Sequence, residues 1–333
     1  MIKVAVIGLG VGEAHAHEYQ HQEHCELIAI CDFNEAKLLE VGKKFPGVRL
    51  ELNAQEILTD PTIDAVSICT YDSFHFEQIE LALLNNKHVF VEKPFVQTHE
   101  QAKKILDILK LRPHLHISSN LILRKYPRFL HLKSEMDAEK LGEVYYLEGD
   151  YNYGRIHKII DGWRGKEDFY SIVAGGGIHL IDLFLWLKKK KVTEVFAIQN
   201  KIVTRDSDFK FADFVLSVLE FEDGSIAKVS CNFGCVYPHF HPLAIYGTRK
   251  TFLHNLTGGT YITSRDPNAD VEKLDLPYPG VGKGGHINNF IRAIKFSESL
   301  EVSRADIFNA MAICFAIEES LRYSKKSKVN YYF

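Results

Sequence analysis

An alternation of short apolar runs with longer amphipathic ones fills about the first 120 residues, and few folds accommodate it. Residues 4–8, 27–31, 65–69, 88–91 and 115–118 read as short apolar strands. Between them, 35–45, 74–86 and 98–111 carry apolar residues at helical spacing. Strands buried on both faces and linked through helices demand right-handed crossovers and a parallel sheet.

The rhythm then changes. A helical stretch near 128–136 precedes expected antiparallel strands at 143–153, 192–204, 211–222 and 226–233. Asp223-Gly224 is a hairpin signal between the last two. In the final strand Ala227, Val229, Cys231 and Phe233 alternate with Lys228, Ser230 and Asn232, so one face is buried. Helices at 286–296 and 304–323 close the chain. A length of 333 residues suits two cores rather than one. The expected division is an α/β domain over 1–120 and an α+β domain with a large, mostly antiparallel sheet over 121–333.

Directly after the first strand comes Gly8-Leu9-Gly10-Val11-Gly12. Glycine there permits a tight turn and a close approach to pyrophosphate, while the next helix offers free N–H groups to phosphates. Gly12 stands one place early, and Glu13 occupies the usual position of the third glycine. Asp32 ends the second strand, twenty residues after Gly12. A carboxylate there accepts hydrogen bonds from adenosine ribose hydroxyls and repels a 2′-phosphate. Phe33 and Asn34 follow without an arginine, so NAD is favoured over NADP. The first domain is therefore expected to be a doubly wound, NAD-binding Rossmann domain.

Two further segments carry a resemblance. Val89-Phe90-Val91-Glu92-Lys93-Pro94 follows Asn86-Lys87-His88, and Gly175-Gly176-Gly177-Ile178-His179-Leu180-Ile181-Asp182 lies in the second half. With the glycine turn, they make the chain similar to the Gfo/Idh/MocA family, named for glucose–fructose oxidoreductase and inositol dehydrogenase. The resemblance runs over essentially the whole chain. It implies that Lys93 reaches the reacting hydroxyl beside the nicotinamide and that His179 helps transfer the hydroxyl proton. Pro94 favours extended geometry at Lys93, and the positive nicotinamide with partial burial would disfavour its ammonium. Without the glycine turn, Lys93 would read as an ordinary surface lysine, and the apolar helix start around His179 (Ile178, Leu180, Ile181, Leu183) also permits a merely buried, hydrogen-bonded histidine.

One departure matters: many relatives carry aspartate four residues before the histidine, and this chain has Gly175. A Lys93–His179 pair, with a tyrosine or water relay, is what the sequence offers instead. Thr70-Tyr71-Asp72 stands where the family often shows Thr-Pro-Asn, so Thr70, Tyr71 and His75 are expected beside the adenine or nicotinamide. Asp72 reads equally as a helix N-cap. The expected cofactor contacts are thus Gly8, Leu9, Gly10, Val11, Gly12, Asp32, Thr70, Tyr71, His75, Glu92 and Lys93.

Aromatic and basic residues crowd the stretch before His179: Tyr151, Tyr153, Arg155, Lys158, Trp163 and Arg164. Flat rings suit sugars, and guanidinium forks suit phosphates or carboxylates. Tyr153, Arg155, Lys158, Trp163 and Arg164, with Arg124 and Asp182, are the candidate substrate contacts, and a nucleotide sugar is one candidate substrate. An outward face used for subunit contacts is the competing role for Tyr151 and Tyr153.

Other classes fare worse. A net charge of −3 lacks the basic excess of a nucleic-acid partner, and basic runs at 188–191 and 325–328 read as solvated helix ends. The apolar run 178–187 contains Asp182 and is too short to span a bilayer. Residues 1–10 read as a strand rather than a signal peptide. Six scattered cysteines suit reduced thiols in a cytoplasmic protein. His15, His17, His21 and His24 do not share one helix face, and His239 with His241 lacks a third ligand, so no metal is expected. The expectation is an NAD-dependent dehydrogenase acting on a secondary hydroxyl of a sugar, cyclitol or nucleotide sugar, as a homodimer or homotetramer. An NAD-cycling, glycoside-cleaving enzyme and a non-catalytic dinucleotide-binding regulator are the alternatives.

Overall fold

A computed structural model describes residues 1–333, which form two compact units. Unit 1 holds Met1–Ile122, Gly282–Phe308 and Tyr332–Phe333, and unit 2 holds Leu123–Val281 and Asn309–Tyr331. The chain thus re-enters unit 1 after residue 281, a return that no single cut near residue 120 anticipates.

In unit 1, strands β1 (Ile2–Ile7), β2 (Cys25–Cys31), β3 (Arg49–Glu51), β4 (Ala65–Ile68), β5 (His88–Val91) and β6 (Ile117–Ser119) form one sheet. Its order is β3-β2-β1-β4-β5-β6 and every pairing is parallel. Helices α1 (Gly12–Gln20), α2 (Glu35–Gly42), α3 (Ala54–Thr59), α4 (Asp72–Leu84) and α5 (His99–Leu111) alternate with the strands. β1, β4 and β5 are almost wholly buried, as strands covered on both faces must be. The strand order reverses between β1 and β4, the switch point where open α/β sheets receive ligands. β3 and α3 have no counterpart in the sequence pattern, because Arg49-Leu50-Glu51 is a short polar edge strand. At α5 the start signal is complete: Thr98 and Gln101 form a reciprocal capping box.

Unit 2 contains α6 (Pro127–Asp137), β7 (Val144–Asn152), α7 (His157–Ile160), α8 (Ile178–Lys188), β8 (Val192–Asn200), β9 (Phe214–Phe221) and β10 (Ile226–Asn232). It continues through β11 (Leu243–Gly247), β12 (Thr251–Asn255), β13 (Gly258–Ile262) and β14 (Glu272–Leu274). With the terminal β15 (Ser327–Lys328), these strands make a nine-stranded sheet ordered β14-β13-β12-β11-β7-β10-β9-β8-β15. The sheet is antiparallel except between β7 and β10, where the expected antiparallel arrangement is corrected to a parallel pair. The hairpin at Asp223-Gly224 forms as expected, with Gly224 at a φ of +81°. α9 (Ile287–Phe296) belongs to the return into unit 1, and α10 (Arg304–Tyr323) follows it. All six cysteines are free thiols.

One half-buried acid in unit 2 makes a stability prediction. The half-buried Glu318 of α10 accepts a hydrogen bond from the buried Ser171 hydroxyl, and burial pushes its carboxyl above the usual range. A raised carboxylate pKa contributes stability that is full below the unfolded value and lost as pH rises through the folded one. Glu318→Gln is therefore expected to raise the unfolding temperature at pH 8, by about 2–4 °C, and to have little effect near pH 4. Thermal unfolding at both pH values checks this. An equal shift at both would assign the effect to packing instead.

Candidate functional site

The glycine turn of unit 1 divides its work among three residues. Gly8 has a φ of +87°, and a Cβ there would lie 2.6 Å from the Cys69 carbonyl oxygen. A side chain at Gly12 would meet Val6 Cγ1 at 2.9 Å, so this glycine lets α1 pack directly on β1. Gly10 faces open space, its nearest neighbour being Lys37 Nζ at 3.7 Å. Tight turn, open approach and close helix packing are the three demands of a pyrophosphate loop. The early third glycine meets the packing demand from position 12. The first N–H groups of α1 receive no side-chain cap, and the Glu13 carboxylate in that turn is paired with Lys44 at 2.6 Å.

Asp32 sits beside this turn. Its Oδ2 accepts from the Leu9 N–H at 2.8 Å, and its Oδ1 accepts from the Asn34 N–H at 2.9 Å. The carboxylate thus shapes the loop as well as facing it. Lys37 Nζ stands 4.0 Å from Asp32 Oδ2, a cation that inspection of Phe33 and Asn34 alone missed. Phe33, Tyr71 and Phe74 form an aromatic group beside it, with Phe33 68% exposed. An exposed ring next to this carboxylate leaves a flat apolar face open to stacking.

His75 and Glu92 differ from expectation. His75 is fully buried, with Nδ1 2.6 Å from the Pro94 carbonyl and Nε2 3.2 Å from the Thr70 carbonyl. It ties two loops together instead of facing a ligand. Thr70 donates its hydroxyl to Gln78. Asp72 opens α4 as its first residue, and the N-cap position falls on Tyr71. The buried Glu92 turns into the protein, where Asn120 Nδ2 donates to it at 2.7 Å and His15 Nε2 lies 3.4 Å away. Burial alone would raise its carboxyl, yet His15, Lys93 and Asn120 outweigh burial and hold it at about 2. The network continues from His15 Nδ1 to Ser67 and Cys69, and from Asn120 to the Lys283 carbonyl of the returning segment. Lys93 itself is half-buried, at the end of β5 before a cis Pro94. His15 was a missed residue; only its fixed place on α1, three residues past Gly12, hints at this role. The other N-terminal histidines go elsewhere, His17 against Phe45 and His24 against Phe296.

In unit 2 the three glycines before His179 form a single π-helical turn, Val173–Gly177, leading into α8. Such turns recur at functional sites. Each glycine accepts a neighbour that a side chain would exclude: Tyr170 at Gly175, Tyr151 at Gly176, and Cys231 at Gly177. A Cβ at 175 would run into the Tyr170 hydroxyl, so the space that an aspartate would need is filled. The buried His179 stacks on Tyr151, with ring centroids 6.1 Å apart. Tyr151 and Tyr153 stack on each other and on Phe233, and His239 and His241 meet Tyr151 edge-on. Both tyrosines are 5% exposed, which overturns an outward subunit-contact role for them. Arg155 lies over the Tyr153 ring at 4.7 Å, and Arg164 over Trp163 at 4.5 Å. Lys158 is exposed on α7.

Arg124 and Asp182, expected to bind substrate, instead bind each other. Arg124 Nε and Nη2 donate to the two Asp182 oxygens at 2.9 and 2.5 Å, and both residues are buried. A desolvated bidentate pair of this kind anchors α8, and with it His179, to the segment before α6.

Residues 2–117 match the family described as oxidoreductase family, NAD-binding Rossmann fold, and 129–253 match the GFO/IDH/MocA C-terminal domain. The oxidoreductase YhhX of Escherichia coli is 30% identical over 159 residues, covering 46% of this chain but only 43% of that protein. Myo-inositol 2-dehydrogenase of Thermotoga maritima is 23% identical, with 91% of each chain covered. Scyllo-inositol dehydrogenase from Lactobacillus casei, solved with NAD(H) and scyllo-inositol, superposes with a TM-score of 0.83 at 19% identity, covering 99% of both chains. That likeness shows a shared fold. No helix is long and apolar enough to cross a membrane.

Proposed function

The chain belongs to the Gfo/Idh/MocA family of oxidoreductases, and from that premise we propose that it transfers a hydride between NAD and a secondary hydroxyl carbon of a sugar, cyclitol or nucleotide sugar. The observation that carries this is the glycine turn, with Gly10 open to a ligand and the Asp32 carboxylate bound to the same loop. These residues fit a dinucleotide: the uncapped start of α1 for the pyrophosphate, Asp32 for a ribose, Phe33 and Tyr71 for adenine. When bound, NAD supplies the hydride acceptor and a positive ring that disfavours a nearby ammonium. Lys93 takes the hydroxyl proton as the carbon is oxidised, and His179 is the second proton-transfer group. Glu92 and His75 position the Lys93–Pro94 loop from beneath. The half-exposed apolar face of β8, β9 and β10, with Phe196, Ile198 and Ile226, suits cover by a second copy of the chain.

NADH release on incubation with NAD and a panel of polyols tests the reading. Failure to bind any dinucleotide would overturn it. Cofactor choice has its own test. Asp32→Ala is expected to raise the KM for NAD about tenfold through loss of charged hydrogen bonds, and to lower the KM for NADP, because Lys37 remains. An unchanged ratio of the two constants would place the ribose away from Asp32. A second reading, a dinucleotide-binding regulator, draws on Gly175 alone; turnover that depends on Lys93 separates the two.

A further inference from the structure

We propose that Lys37 is a cofactor-binding residue whose ammonium pairs with the diphosphate of the dinucleotide as it crosses Gly10; this rests on the dinucleotide-binding part of the dehydrogenase reading and adds a contact to it. Lys37 is the third residue of α2, whose N-cap Asn34 accepts from the Lys37 N–H at 3.1 Å. Side chains on a helix tilt back toward its start, which here carries the lysine toward the glycine turn. A Cβ built on Gly10 would have Lys37 Nζ as its nearest neighbour, at 3.7 Å. The ammonium therefore stands over the open side of Gly10, the side on which a diphosphate has to approach.

Two features set this lysine apart from an ordinary surface cation. A cation in the first turn of a helix opposes the partial positive charge of the helix start, so its place has a cost in the free protein. The carboxylate within ion-pair range offsets that cost poorly. Asp32 Oδ2 is 4.0 Å away, outside hydrogen-bond range, and Asp32 already accepts from the Leu9 and Asn34 N–H groups. The second feature is that the other lysine near the turn is committed elsewhere. Lys44 pairs at 2.6 Å with Glu13, the acid in the first turn of α1, and His17 Nε2 lies 3.9 Å from the same carboxylate. Lys44 thus cancels the repulsion that Glu13 would direct at a phosphate, and Lys37 is left to attract one. With a diphosphate in place, the ammonium gains a doubly charged partner. Asp32 then keeps its remaining lone pairs for the ribose hydroxyls.

Calorimetric titration of the full chain with NAD, ADP and, by competition against NADH, adenosine tests this. Lys37→Met is expected to weaken NAD and ADP by about tenfold, the worth of one charged hydrogen bond. Adenosine should weaken by less than about twofold, since the long pair with Asp32 contributes little. Lys37→Arg, which keeps the cation, should stay within about threefold of wild type. NADP should weaken by the same factor as NAD, because the two share the diphosphate. Raised salt should erode the difference between wild type and Lys37→Met. Equal binding of ADP by wild type and Lys37→Met overturns the inference, as does adenosine weakened as much as ADP. A loss confined to NADP and 2′-AMP also overturns it, by putting the ammonium at the 2′-position. In each of these cases the dinucleotide reading stands. A wild-type chain that binds neither NAD nor ADP overturns both.

Discussion

Lys93→Met is expected to lower kcat by about 100- to 10,000-fold, the range for removal of a positioned general acid or base. Methionine keeps the length and apolar stem of the side chain, so packing beside Pro94 changes little. What disappears is the amine. NAD affinity should stay within about threefold, as the pyrophosphate turn and Asp32 are untouched. Lys93→Arg sharpens the test, because arginine retains the charge yet cannot surrender a proton at accessible pH. If the cation alone matters, arginine restores turnover; if proton transfer matters, arginine is as inactive as methionine. The lysine also helps hold Glu92 ionised. Its loss should therefore move the Glu92 carboxyl upward, with His15 and Asn120 still favouring the ionised form.

Asp182→Ala is expected to unfold unit 2 at a temperature lower by about 10 °C or more, because it strands the Arg124 guanidinium in the interior. Removing one partner of a buried pair costs about 3–5 kcal/mol. Replacing both with apolar groups, as in Arg124→Met with Asp182→Leu, should recover most of that loss, since no charge is then left unmatched. The same experiment separates anchoring from substrate contact. A substrate-binding Asp182 would raise KM and leave the unfolding temperature alone. An anchor does the reverse, with activity falling only as α8 and His179 lose their place.

The sequence made the parallel sheet legible because its strands are uninterrupted apolar runs and its helices have clear start signals, such as Thr98 and Gln101. His88–Val91 matches its expected bounds to the residue, as does Arg304–Tyr323. What stayed hidden has a common cause: it depends on contacts between residues far apart in the chain. Arg124 and Asp182 look like substrate groups until a distance of 58 positions closes into a salt bridge. Glu92 looks like part of an exposed motif until His15 and Asn120 meet it in the interior. Gly175 reads as a lost aspartate, yet the space belongs to Tyr170. Short strands such as Leu243–Gly247 and Gly258–Ile262 carry glycine and polar residues and gain their pairing only from the neighbouring sheet. The return of α9 to unit 1 has no local signal either, because its buried face, Ile287, Phe290 and Ile291, fits any apolar partner.

The measurement that bears most directly on the whole scheme is a crystal structure with NAD and a slowly turned-over polyol bound. The expected result places the pyrophosphate on the N–H groups after Gly10, with Lys93 Nζ within about 2.6–3.2 Å of the hydroxyl on the carbon facing the nicotinamide. A nicotinamide bound away from the end of β5, or an amine at residue 93 pointing into bulk water, would contradict it.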